Sequence, residues 1–362
     1  MKRVIGIVLA ATLGASTAHA GTTIVVMPTQ GNPAQSGTDL LNAVASITDN
    51  DANRRYVVKL DPGVYDLGDQ SLVMKPFVDI AGSGVESTLV YGNGNLDEQG
   101  LFRGVVEGAD SAELRDLTIQ VLPAEGRQIL VGMFNPSVSP RVTNVRFRAN
   151  DSTNYCSGLF GIGSSSIIKD VDVRVRCAEF AEGMSFDLAL GRPLILRTEL
   201  FAQSTDALGY AAGLALYQGG APSEIRDSKI TAWGGAVAVG LDARTVDQNA
   251  ITVVTDSTLS GLAGTASYGV RSGPQSLLTI QLRHSRVAGH LGTSSIGIEK
   301  QSLAFLLVEN SIVIGSSNTV SGAAGPPVHV GASKLHGGPT VGNVVCGGVY
   351  DESFTFFTSG CP

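Results

Sequence analysis

Hydrophobic and polar positions along this chain repeat one short pattern. An apolar residue and any residue precede a turn-tolerant polar one; a small or apolar residue, any residue and another apolar one complete it. The pattern reads LRDLTI around Asp116, VTNVRF around Asn144, IKDVDV around Asp170 and ILRTEL around Arg197. It returns as IRDSKI around Asp227, VTDSTL around Asp256, LRHSRV around His284 and VENSIV around Asn310. The centres step by 28, 26, 27, 30, 29, 28 and 26 residues, a period that signals stacked repeats. Apolar residues fall at −2, +1 and +3, as in Val142, Val145 and Phe147. Strand alternation has steps of two, so the step of three marks one extra, outward-pointing residue at a bend. Asp, Asn or His fills seven of the eight centres, and these types best tolerate left-handed backbone. Arg197 is the exception, and the sequence offers no reason for it.

A second strand lies between these units: GMSF from Gly183, GLAL from Gly213, AVAVGL from Ala236, GVRS from Gly269, GIEK from Gly297 and PVHV from Pro327. Each coil then has three strands, two of them flanking the bend. About ten coils fit between Tyr56 and Val349. At a strand spacing of about 4.8 Å the cylinder is roughly 50 Å long. Both its ends need covers. Thr22 to Met27 reads as a strand and Pro28 to Gly37 as a loop; Ser36 or Thr38 caps a helix to about Ile47, with Leu40, Leu41 and Val44 on one face. That helix can close one end. The tail from Cys346 can close the other with Phe354, Phe356 and Phe357.

Between them YVVKLDPGVYDL, Tyr56 to Leu67, reads as strand, Pro-Gly turn and strand, and leads on to Gly82-Ser83-Gly84. This run resembles the first coils of the pectin-lyase-like right-handed parallel β-helix proteins. The resemblance implies an all-β, single-domain right-handed parallel β-helix with a short N-terminal capping helix, and an activity on polysaccharide. The expected organisation is a signal peptide at 1–20, an N-terminal cap segment at 21–55, the β-helix at 56–345 and a disulfide-pinned cap at 346–362.

Composition narrows the setting. Gly at 45 residues and aromatics at 6% suit short strands and tight turns. A net charge of −7 argues against a nucleic-acid partner, which calls for a basic face. Lys2 and Arg3, the apolar stretch Val4 to Ala15 and Ala18-His19-Ala20 make a secretory signal with cleavage near Gly21. No later apolar run approaches the roughly 18 residues of a membrane span, so the mature chain is expected in the periplasm or outside the cell. Export makes Cys156, Cys177, Cys346 and Cys361 disulfide partners. Three pairings are open; the local one, Cys156–Cys177 and Cys346–Cys361, is preferred and is worth about 3 kcal/mol per bridge.

Candidate chemistry comes last. The Asp column of the bends serves backbone geometry, and His284 with it. Two residues on, Arg146 stacks by Asp172 and Glu199 by Lys229 as a surface ladder. Further out, Arg148 and Arg174 stack as like charges with Arg176 nearby. Asp151, Glu179 or Glu182 can answer them, or an anionic sugar such as a uronate can. On the second strand an outward row is expected to carry Arg271, Glu299 and His329 on successive coils, with Lys300 and Asp242 close in sequence. A cation, a carboxylate and an imidazole on one wall suit acid–base work.

The family's catalytic signatures are absent as wholes. Of the polygalacturonase set only Thr205-Asp206 and Gly289-His290 survive, no pectin methylesterase segment is present, and no Asp cluster answers to the calcium site of pectate lyases. Calcium is therefore implied by the resemblance alone, and no other cofactor is indicated. The expected partner is a polysaccharide or cell-surface glycan, bound or processed by a lyase or hydrolase reaction. The alternative is a non-catalytic surface or structural protein, with an autotransporter passenger or phage-type spike a weaker third.

Overall fold

The computed structural model describes residues 21–93, 103–123, 129–152, 154–187, 191–217, 223–244, 250–262, 264–274, 276–301, 303–323 and 325–362. The secretory signal at 1–20 lies outside them. The described chain is nearly all strand, with one helix, Pro33–Ser46. No helix among the described residues is long and apolar enough to cross a membrane. The strands wind as a right-handed parallel β-helix. An eleven-stranded parallel sheet forms one side, and strands before and after each bend form the rest of the wall.

The bends are where the repeat places them. Asp116, Asn144, Asp170, Arg197, Asp227, Asp256, His284 and Asn310 all have φ between 46° and 58°. A ninth, Ala332, has φ 47°; alanine carries no turn signal, so the motif GASKL around it escapes a search for polar centres. Nine bends delimit eight regular turns, and shorter-stranded rungs precede Asp116. Arg197 now has a reason. Its Nε donates to Asp170 Oδ1 at 2.7 Å and Nη2 to Oδ2 at 2.9 Å, a fork–fork pair along the bend column. Asn144 Nδ2 donates likewise to Asp116 Oδ1, at 2.7 Å.

Inside, each column of the repeat stacks on itself in register. Val142, Ile168, Ile195, Ile225 and Val254 follow one another on consecutive rungs, all buried. Burial of such columns is the main stabilising term, at about 25 cal/mol per Å² of apolar surface. The +1 column changes chemistry halfway. Leu117, Val145 and Val171 fill it early, and Thr198, Ser228, Ser257, Ser285, Ser311 and Ser333 fill it later, all buried. Each later hydroxyl donates across its own bend to a backbone carbonyl, as Ser257 Oγ does to Thr255 O at 2.8 Å. From Ser228 on, each also accepts the N–H of the preceding rung: Thr198 N to Ser228 Oγ at 3.2 Å, Ser228 N to Ser257 Oγ at 3.1 Å, Ser257 N to Ser285 Oγ at 3.2 Å. The bend interrupts the backbone ladder here, and the hydroxyls restore it.

The ends differ from expectation in detail. Thr22–Val26 pairs in parallel with Tyr56–Leu60, so the coil starts at Thr22 and not at Tyr56. The helix starts at Pro33, earlier than a Ser36 or Thr38 cap allows, because Asn32 caps it, its Oδ1 accepting from Gln35 N at 3.1 Å, and proline suits the first turn. Ser36 and Gly37 are buried within it. Gly37 lies so close to the Asp66 carbonyl that a Cβ would stand 1.8 Å from the oxygen. Leu40 and Val44 then join the core at the open end.

At the other end Phe356–Phe357 folds back antiparallel on Val349–Tyr350. Only Phe357 of the three phenylalanines packs on the core; Phe354 and Phe356 are 71% and 51% exposed. The disulfides are the local pair, Cys156–Cys177 with Cα atoms 5.9 Å apart and Cys346–Cys361 with 5.1 Å.

Candidate functional site

Polar side chains gather on the outer face of the eleven-stranded sheet, across Phe180–Asp187, Tyr210–Tyr217, Val237–Arg244, Ala266–Ser272 and Ser294–Lys300. The middle of this face is floored by Ala212, Ala215 and Val239. Such small residues let Tyr210, Tyr217 and Tyr268 lie down over their neighbours. Tyr210 and Tyr268 are nearly buried although they point away from the barrel interior.

Two carboxylates are sealed beneath these rings. Asp242 is 0% exposed. It accepts from Arg271 Nη2 at 2.7 Å and Nε at 3.1 Å, from Arg244 Nε at 2.7 Å, and from the Tyr210 hydroxyl. The guanidiniums also sit over aromatic faces, Arg244 at 4.8 Å from the Tyr210 centroid and Arg271 at 5.4 Å from that of Tyr268. Burial pulls the Arg271 cation down in pKa, but the hydrogen bonds and charge of Asp242 reverse it, and the net direction is up.

Glu182, 1% exposed, accepts from the Tyr155 hydroxyl at 2.7 Å and from the Tyr217 hydroxyl. Tyr155 and Ser185 hydroxyls are 3.0 Å apart. Burial pushes the Glu182 carboxyl above the ordinary glutamate value, and the charge of Asp242 adds to this against the hydrogen bonds from Tyr217, Tyr155 and Ser185. Burial likewise holds the phenols of Tyr155, Tyr210 and Tyr217 far up, so they stay neutral donors. Beside this network opens a cleft of about 420 Å³ lined by Arg244, Arg271, Gly273, Pro274 and Gln301.

The expected catalytic row is only partly assembled. Asp242, Arg271 and Glu299 do stand side by side on consecutive rungs. Arg271 turns to Asp242, while Glu299, its pKa raised by burial, accepts from Gln301 Nε2 at 2.6 Å. His329 is not on this wall. It lies on Val328–Gly331 of the other sheet, between Leu307 and Val345, in a depression of about 290 Å³. The row runs instead to Ser321. Although its sequence suggests the second strand between the bend units, PVHV leads into the bend at Ala332. Lys300 is not outward either: it is 1% exposed, with its amino group 3.4 Å from the Ala323 carbonyl, and burial lowers its pKa.

Arg148 and Arg174 are neighbours in register, as expected. Among the described side chains the answering carboxylate is Asp172 rather than Glu179 or Glu182; the side chain of Asp151 lies outside those described. Arg148 Nη2 reaches Asp172 at 2.5 Å, and Arg146 and Arg174 Nε each at 3.4 Å. Burial raises the Asp172 carboxyl, yet these three cations carry it below the usual range. Arg176 stands exposed at the end of the same strand. Lys229 meets Glu199 at 2.8 Å. Among the described residues no group of three His, Cys, Asp or Glu side chains comes together as a metal site.

Sequence reasoning named Glu182 only as a possible partner of Arg148 and Arg174, and passed over Arg244 and the tyrosines. One signal was present. Of the chain's eight tyrosines, Tyr155, Tyr210, Tyr217 and Tyr268 all fall on strands of the eleven-stranded sheet.

No protein-family model matches the sequence, and a comparison with curated proteins finds no match. Solved structures do match. The A-module of mannuronan C-5 epimerase AlgE6 from Azotobacter vinelandii superposes with a TM-score of 0.55 at 13% identity, over 87% of this chain and 95% of that one. The catalytic domain of an Asp-to-Ala point variant of a GH87 α-1,3-glucanase in complex with nigerose gives 0.50 at 12% identity, over 95% of this chain and 66% of that one. With the stacked rungs and left-handed bends described above, these likenesses identify the fold as that of the pectin-lyase-like parallel β-helix proteins.

Proposed function

We propose that this protein binds and processes an acidic polysaccharide on the outer face of its eleven-stranded sheet, in the cleft beside Arg244 and Arg271. The observation that carries the reading is Asp242, a carboxylate without solvent exposure on the outside of a cylinder, gripped by two guanidiniums and a phenol. Burying a charge in this way is costly unless it is paired, and such clusters beside a cleft mark functional sites. Glu182 and Asp242 are two buried carboxylates in opposite surroundings, one among phenols and one among cations. In this reading Arg244 and Arg271 orient a sugar carboxylate, and Glu182 holds the proton that is exchanged, relayed by the Tyr217 hydroxyl that bonds it beneath Arg244. The solved structures of like fold, an epimerase of mannuronan and a glucanase held with nigerose, support a polysaccharide as the ligand class. The signal-like residues 1–20 and the two disulfides support export to the periplasm or beyond.

A non-catalytic reading has one observation in its favour: both Glu182 oxygens and both Asp242 oxygens are already hydrogen-bonded within the protein. A panel of acidic and neutral polysaccharides, with and without calcium, separates the two. Binding and newly formed reducing or unsaturated ends are both measured. Product is expected from wild type and a drop of about 100-fold or more, the scale of a lost acid–base group, from Glu182→Gln, with binding retained. Binding without product in the wild type would leave only the non-catalytic reading.

A further inference from the structure

The strands that follow the bends carry a second set of outward side chains, which the carboxylate network does not use. Register places Arg148, Arg174 and Phe201 in one column, and Arg176, Gln203 and Trp233 in the column beside it. With strands about 4.8 Å apart, Trp233 stands roughly 10 Å along the axis from Arg176.

One end of this patch has surplus positive charge. Arg146, Arg148 and Arg174 share Asp172, and Arg146 also reaches Glu86. Arg176 is exposed and makes no ion pair among the described residues. Among the described side chains four guanidiniums therefore face two carboxylates, on a chain whose net charge is −7. The other end is aromatic. Trp233, the chain's one tryptophan, is 42% exposed, and Phe201 is half-buried on the rung before it. An indole combines a flat apolar face with one N–H donor, which matches the C–H face and hydroxyl rim of a sugar ring. Arginine's planar fork matches a carboxylate.

We propose that this face is a second binding surface for a carboxylated polysaccharide. Arg174 and Arg176 hold its acid groups, and Trp233 with Gln203 holds a sugar ring about two rungs away. The surface takes its ligand class from the reading above, but it lies on a different sheet from Asp242 and is tested apart from it.

The single tryptophan makes the test direct, since all indole emission reports this patch. Polygalacturonate titrated into the whole mature chain is expected to shift or quench that emission. Dextran, which has rings without charge, and inorganic polyphosphate, which has charge without rings, are each expected to bind at least tenfold more weakly. Arg176→Glu should raise the Kd for polygalacturonate at least tenfold. Trp233→Ala, silent in fluorescence, should be retarded less than the wild type in a gel containing the same polymer, with the cleft beside Arg244 supplying what retardation remains, and Arg244→Gln should leave the emission response in place. Retardation by polygalacturonate with unmoved emission and no effect of Arg176→Glu would overturn this surface while the cleft beside Arg244 stands. Polyphosphate binding as tightly as polygalacturonate would overturn the sugar-ring half of the proposal. If no polysaccharide retards the chain, the ligand class itself falls, and both sites with it.

Discussion

The bend column and the outer wall of the eleven-stranded sheet are both rows of acidic and basic side chains on parallel rungs, built on opposite terms. Asp227 is exposed, its backbone is left-handed, and any residue that tolerates φ near 50° can replace it, as His284, Arg197 and Ala332 do on their own rungs. Asp242 is sealed on an ordinary extended strand, and its partners Arg244, Arg271 and Tyr210 come from three rungs with no repeat at equivalent positions. The periodic carboxylates serve the chain's path. The aperiodic one serves something the chain's path does not need.

The comparison breaks most sharply at Asp242. Asp242→Ala leaves Arg271 buried against Tyr210 and Tyr268 with its carboxylate gone. The expected cost is about 3–5 kcal/mol, the usual penalty for orphaning a buried charge, read as a lowered urea midpoint with an unchanged m-value. A loss below about 1 kcal/mol would mean that water already reaches the network.

Glu182 sharpens the contrast through pH. Burial holds its folded-state pKa above the ordinary 4.5, so the folded protein keeps this proton longer than the unfolded chain does. The stability linked to it is complete below about 4.5 and is lost as pH rises through the folded-state value. Glu182→Gln removes that loss. The thermal midpoint of the variant should therefore gain on the wild type steadily from pH 4.5 upward, and parallel pH profiles would count against a raised pKa. The smallest effect belongs to the bend. Asp227→Gly relieves the left-handed strain and adds unfolded-state entropy, two terms of about 1 kcal/mol that oppose each other. Its denaturation midpoint should stay within experimental reach of the wild type, and any polysaccharide activity should be unchanged.

This contrast also explains what could be read without coordinates. A residue that recurs at every rung announces itself by period. The eight polar bends, the paired Arg148 and Arg174 and the adjacency of Asp242, Arg271 and Glu299 were all visible in this way. His329 was misplaced because Ala332, an apolar bend, broke the count by which strands are assigned to sides. Lys300 was misjudged because its neighbour Glu299 points outward, and alternation then sends Lys300 inward whatever its charge. The meeting of Glu182, named only as a partner for Arg148 and Arg174, with Tyr155 and Tyr217, and of Tyr210 with Asp242, was missed for a different reason. Both meetings depend on long side chains crossing two alanines on the floor between rungs, and neither spacing nor composition records which way a tyrosine lies.

The serine column carries a consequence for how such a molecule changes length. Every rung from Ser228 to Ser311 offers the same hydroxyl to the rung before it and the same N–H to the rung after it. A whole turn in that stretch behaves as a cassette: duplicated or excised between equivalent serines, it presents matching contacts on both new seams. The turns that carry Asp242 and Arg271 have no such freedom on their other side, because one turn more or less between them parts the ion pair. A change in length is therefore free only beyond Ser311, past the turn that carries Glu299 and the Gln301 wall of the cleft, while the turns around Asp242 keep their number.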